Sequence, residues 1–252
     1  MGTRSVGRIL CIANQKGGVG KTTTAVNLAV ALALAGNRTL LIDLDPQCNA
    51  TSNLGHQPAP RHPLVIHEPL GRSIRKTDLD GLELLPGCRN FADVDELAKH
   101  ADNQSNTLKH HLASGVSGFD YVLIDCPPSL GQLTRSALAS SNDVIMPIQC
   151  EYFAMEGLTQ MIEVIRQVMS REAKLRFGGI VLTMYDPALD LTREVENEVR
   201  DFFGEIVFRT SIPRDVAVCE APSHGLSVLS YAPRSRGARA YSELCMEVLE
   251  RD

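Results

Sequence analysis

The chain of 252 residues has no apolar run of eighteen or more, which excludes a transmembrane helix. Met1 to Arg8 is short and polar and carries no signal-peptide core, so a secreted product is not expected. Its seven cysteines (11, 48, 88, 126, 150, 219 and 245) are scattered, and none form a C-x-x-C pair. Several lie in apolar runs, which points to reduced core thiols and a cytoplasmic setting. Positive charge is not in excess: the formal net charge is −5, so neither a permanently nucleic-acid-coated protein nor a polybasic membrane anchor is expected. His56, His62 and His67 lack helical metal-ligand spacing and read as solvated. There is no internal repeat or low-complexity stretch, and no composition shift marks a domain boundary. Residues 1–252 are therefore expected to form a single domain.

What is present is organised around Gln15-Lys16-Gly17-Gly18-Val19-Gly20-Lys21-Thr22-Thr23. An apolar run, Ile9 to Ala13, precedes it and reads as a buried strand. An Ala-rich run, Ala25 to Ala35, follows and reads as a helix closed by Gly36. Strand, Gly-rich turn and helix together make a phosphate-binding loop. Glycines let the backbone wrap close to phosphate, and the helix N-terminus adds roughly half a positive charge. Lys21 would reach the β- and γ-phosphates, and the Thr22 hydroxyl would hold Mg²⁺.

Carboxylates recur where such a loop needs them. Thr39 to Ile42 reads as a strand that runs into Asp43-Leu44-Asp45-Pro46-Gln47-Cys48-Asn49-Ala50-Thr51. Tyr121 to Ile124 reads as another, ending in Asp125-Cys126-Pro127-Pro128. Asp125 would hold Mg²⁺ through water. Further strands are expected at Leu82–Leu85, Asp143–Ile148 and Gly179–Thr183, with short edge strands at Ile206–Phe208 and Ser227–Leu229. Helices are expected around Phe91–His100 and Ser105–Ala113, and from Gly157. Another has a face formed by Leu191, Val195, Val199, Phe202 and Phe203, and the last runs from about Ser235 to Glu250. The strands are mostly continuous apolar runs. That pattern belongs to an α/β fold with one doubly wound, mostly parallel sheet and helices on both faces.

The string K-G-G-x-G-K-T is the deviant Walker A motif, and with it the chain resembles the ParA/MinD superfamily of dimeric ATPases. The D-x-D-P-Q-x-N-A-T string, the D-x-P-P turn and the segment Ile212 to Gly225 resemble its ParA/Soj branch. The resemblance implies binding of ATP or ADP with Mg²⁺ by Lys16, Gly17, Gly18, Val19, Gly20, Lys21, Thr22 and Thr23. In this picture Lys16 crosses to the partner's phosphates in an ATP-dependent homodimer. Asp45 orients the attacking water, and Asp43 lies near the Mg²⁺ shell. Pro213 and Asp215 lie near the adenine. It further implies non-specific DNA binding, a ParB-like activator, nucleoid association, and chromosome or plasmid partition.

Arginines common in that branch are replaced here by Ala188 and Ala217. Arg193, Arg200, Arg214, Arg234, Arg236 and Arg239 remain for DNA, unless they only decorate solvated helix faces beside local Glu. Three other readings keep the loop. One is a MinD-like membrane-cycling ATPase, opposed by the acidic C-terminal helix. A second is an iron–sulfur electron carrier that would draw on Cys88 and Cys126. The third is the same ATPase moving a protein cargo over the nucleoid.

Overall fold

The computed structural model describes residues 7–62, 70–90, 108–109, 112, 115–151, 154–171 and 174–251. Eight strands form one sheet: β1 (Arg8–Ile12), β2 (Thr39–Asp43), β3 (Arg75–Lys76), β4 (Leu82–Leu85), β5 (Tyr121–Asp125), β6 (Asp143–Gln149), β7 (Arg176–Tyr185) and β8 (Val207–Pro213). The α-helices of four or more residues among the described residues are α1 (Lys21–Leu34), α2 (Asn49–Asn53), α3 (Gln132–Ala139), α4 (Ala154–Arg171), α5 (Asp190–Phe203), α6 (Val216–Glu220), α7 (Val228–Tyr231) and α8 (Arg236–Glu250).

The strand order is β3-β4-β2-β5-β1-β6-β7-β8. Every pairing is parallel except β3 with β4. From β1 the chain crosses through α1 to one half of the sheet, and after β5 it fills the other. Ligands of doubly wound sheets bind at such a reversal, beyond the strand C-termini. The residues at those C-termini here are Asp43, Asp125 and the loop after Ile12.

Both sheet faces are buried, which explains why the strands read as unbroken apolar runs. Along β1, Ile9 and Cys11 join the core layer that includes Leu158, Met161 and Ile165 of α4. Leu10 and Ile12 join the opposite layer, with Leu28 and Leu32 of α1 and Tyr241 and Leu244 of α8. The C-terminal helix is thus packed, as its composition implied. No helix among the described residues is long and apolar enough to cross a membrane.

Several expectations are corrected. Ser227–Leu229 does not form an edge strand. The Ser227 hydroxyl accepts the Ser230 N–H at 3.1 Å and starts α7. The Val228 N–H is taken by Asn27 Oδ1 at 2.8 Å, so a side chain satisfies it instead of a strand ladder. On α5 the buried stripe is Thr192, Val195 and Val199, whereas Leu191 and Phe202 are 44% and 74% exposed. His62 is buried, not solvated. The two-residue β3 is polar and had no apolar signal. The helices expected around 91–100 and 105–113 lie mostly outside the described residues.

Candidate nucleotide site

The loop between β1 and α1 is shaped by residues outside the motif as well as within it. Gly18 and Gly20 have φ of 77° and 86°, the left-handed region that glycine tolerates at little cost. Buried Asn14 donates to the Pro147 carbonyl at 2.8 Å and accepts the Lys16 N–H at 3.0 Å, so it anchors the loop's start to β6. The Thr183 hydroxyl donates to the Val19 carbonyl at 2.9 Å and anchors its far side to β7. Neither Asn14 nor Thr183 had been singled out. The N-Q-K-G-G string offered a signal for the first, and nothing local offered one for the second.

Lys21 opens α1 and is 6% exposed, and its ammonium donates back to the Lys16 carbonyl at 2.8 Å. Burial lowers its pKa, while Asp125 and Asp45 pull it back up. Thr22 and Thr23 stand beside it, half-buried. Lys16 points elsewhere: its ammonium pairs with Glu151 at 2.9 Å, with both side chains substantially exposed. Glu151 also accepts from Gln149.

Three carboxylates converge on this loop. Asp125 is wholly buried, and neither of its oxygens has a hydrogen-bond partner within bonding distance. Desolvation, then the nearby Asp43 charge, drives its pKa well up, while Thr22 and Lys21 favour the charged form. An orphaned, buried carboxylate is costly unless something positive completes it. A divalent cation held between Asp125 and the Thr22 hydroxyl, with phosphate and water as its other ligands, fits this arrangement.

Asp43 is likewise wholly buried, and both of its oxygens are engaged by the segment that follows it. One oxygen accepts the Asp45 N–H at 3.2 Å, and the other accepts the Thr51 N–H at 2.8 Å and the Thr51 hydroxyl at 2.6 Å. It holds the loop that carries Asp45. The Thr51 hydroxyl in turn accepts the Gly87 N–H at 2.8 Å, which ties that loop to the end of β4. Burial pushes Asp43 up to about 6 against these three hydrogen bonds. Asp45 is 6% exposed, accepts the Gln47 N–H at 2.8 Å, and is raised by desolvation although Lys21 opposes this.

The remaining expectations divide. Both Asp215 oxygens are employed: one accepts the Ala217 N–H at 3.0 Å and caps α6, and the other accepts the Gly237 N–H at 2.8 Å. What the Pro213–Asp215 turn can still offer a base is backbone. Arg200 is partly buried and employed within the fold. It pairs with Glu196 at 2.8 Å and donates to the carbonyls of Phe208 and Arg209, tying α5 to β8. Arg193 pairs with Asp190, and Arg236 donates to the Arg214 carbonyl. The side chains of Arg214, Arg234 and Arg239 are exposed and have no partner among the described residues. Cys126 lies beside Cys11, not Cys88, and no group of three or more His, Cys, Asp or Glu among the described residues is placed to hold a metal.

A parallel sheet that delivers a Gly-rich loop, an N-terminal helical lysine and an orphaned carboxylate to one edge defines a phosphate-loop nucleoside triphosphatase. Residues 7–177 match the family model described as an AAA domain. The chromosome-partitioning ATPase Soj of Treponema pallidum is 44% identical, over 98% of this chain and 99% of that protein. The sporulation initiation inhibitor protein Soj of Bacillus subtilis is 43% identical, over 96% and 98%. A solved structure named cobyrinic acid a,c-diamide synthase, from Mycobacterium smegmatis and with bound ATP analogue and magnesium, superposes with a TM-score of 0.82. It is 35% identical and is matched over 97% of this chain and 95% of that one. The chain belongs to the Soj/ParA family of partition ATPases.

Proposed function

We propose that residues 1–252 work as one ATPase domain that drives chromosome or plasmid partition through an ATP-dependent homodimer. The observation that carries this reading is the contrast between the two loop lysines. Lys21 is buried and aimed across its own loop, which suits the β- and γ-phosphates of its own nucleotide. Lys16 is exposed and held only by Glu151, an ion pair worth little in water. It is therefore free to trade that partner for a second protomer's phosphates. Asp45 orients water, and Asp125 with Thr22 holds Mg²⁺. Asp43 and Thr51 set the loop that carries Asp45. The backbone of Gly17 to Thr23 cradles phosphate, and the turn at Pro213 faces the base.

The dimer binds DNA without sequence preference, and a ParB-like partner stimulates hydrolysis on the nucleoid. Arg193, Arg214, Arg234, Arg236 and Arg239 support this, because all lie toward one edge of the molecule. Arg193 is in the first turn of α5, directly after β7. Arg214 directly follows β8, and the others surround the start of α8, which Gly237 binds to Asp215. Ala188 and Ala217 lie along the same edge and leave it less basic than a typical family member. The test is retention of Asp45→Ala on non-specific DNA over a salt series. Retention with ATP alone, with a log–log salt slope of about −0.9 per phosphate contacted, supports the reading. Dimers that never bind DNA would move it to a cargo ATPase gliding on some other surface.

A further inference from the structure

The sulfur atoms of Cys11 and Cys126 lie 3.3 Å apart in the core layer beneath the phosphate-binding loop. Both residues are fully buried. Cys11 is in mid-strand: it is in register with Ile124 of β5 on one side and Val144 of β6 on the other. Cys126 is two residues beyond Ile124, hence on the same sheet face, and is the first residue past the end of β5. Its N–H still reaches the Ile12 carbonyl at 3.3 Å. Asp125 immediately precedes it, and buried Pro127 and exposed Pro128 follow, so solvent begins two residues away.

We propose that Cys11 and Cys126 form a modification site: a peroxide oxidises them to a disulfide that ties the segment after Asp125 to β1 and stops ATP turnover reversibly. One thiol attacks the peroxide O–O bond, giving a sulfenic acid and one water. The second thiol then attacks that sulfur, the S–S bond forms, and a second water leaves. The two thiols lose two electrons and two protons in all, and the peroxide is reduced to two waters. A dithiol reductant returns both electrons and both protons.

A disulfide needs an S–S distance of about 2.05 Å, so the sulfurs must close by about an ångström. Cys11 is held in the sheet on both sides and cannot supply that movement. Cys126 lies past the end of β5 and is bonded to β1 through its N–H at 3.3 Å, so the closure is drawn from its side, directly behind the carboxylate that would hold Mg²⁺. The bond then fixes the segment directly behind Asp125, which the proposed function assigns to Mg²⁺. The other cysteines lack this arrangement. Cys48 and Cys88 each donate to a proline carbonyl at 3.6 Å, and Cys219 is exposed.

The test uses the full chain carrying Cys219→Ser, which removes the exposed thiol. The protein is treated with hydrogen peroxide, alkylated and mapped by mass spectrometry, and its ATP turnover is followed in parallel. The expected result is a Cys11–Cys126 linked peptide pair and a loss of turnover that follows the yield of that pair. Dithiothreitol restores both. Cys11→Ala, or Cys126→Ser should that variant not fold, keeps its turnover under peroxide. A linked pair without loss of turnover overturns the proposal, as does loss that persists in both variants. So does mapping that finds only over-oxidised single cysteines or a different pair.

Discussion

Asp125 carries the sharpest tension between stability and function at the scale of single residues. Its two oxygens are buried without partners, so the nucleotide-free protein bears a cost that a bound cation would remove. Asp125→Asn should raise the thermal midpoint of the nucleotide-free protein and abolish the further rise that Mg²⁺·ADP gives. A calorimetric scan of both proteins with and without Mg²⁺·ADP checks this, and a lowered midpoint in the free variant would contradict it. Asp43 sets a pH dependence. Its pKa is raised from the ordinary 3.8 to about 6 on folding, so the folded chain binds more proton than the unfolded one between those values. Stability from this group is therefore full below the ordinary value and is lost as pH rises to about 6. Asp43→Asn should flatten that slope in melts of the metal-free protein from pH 4 to 8; an unchanged profile would show that the carboxylate is ionised throughout. At this scale Lys16, Lys21, Thr22, Asp45 and Asp125 were legible, because a phosphate site needs those residue types at those spacings. Asn14, Thr183 and Glu151 were not. They act through contacts more than a hundred residues apart, which no local pattern encodes.

Periodicity served well for elements buried on both sides and poorly at the margins. The core strands were legible because each is a run of apolar residues, and β2 and β5 end in a site carboxylate. Val228 and Leu229 looked like an edge strand, but a serine with an accepting hydroxyl started a short helix instead. Ser227→Ala should cost about 1 kcal/mol of stability by denaturant melts, the usual value of an N-cap; no loss would mean that Asn27 alone holds the turn. Phe202 and Leu191 continued the apolar face of α5, yet α5 covers an edge of the sheet and buries only a narrow stripe. The C-terminal helix is fastened at its end by Arg251. That side chain donates to the carbonyls of Gly178 at 2.8 Å and Glu205 at 3.0 Å, and lies 4.0 Å from the Phe208 ring centre. Arg251→Ala should destabilise the protein by about 2 kcal/mol, through the two carbonyls left short of a donor and a lost cation–π contact, without touching nucleotide affinity. Equal loss of both would place α8 in the nucleotide site.

The molecule as a whole is acidic, and Arg214, Arg234 and Arg239, exposed and without partners among the described residues, lie just past β8 and around the start of α8. One protomer offers few unpaired cations there, so a useful DNA affinity requires the patch to be doubled. ATP can supply that doubling only if Lys16 exchanges Glu151 for a partner's phosphates, since a ligand shifts an equilibrium only by its preference for one state. Light scattering behind a sizing column, on Asp45→Ala with Mg²⁺ and either ATP, ADP or no nucleotide, measures this directly. The account predicts twice the 27.5 kDa protomer mass with ATP alone, and a return to protomer mass when Lys16→Ala is added. A dimer that forms without ATP, or that survives Lys16→Ala, would contradict it.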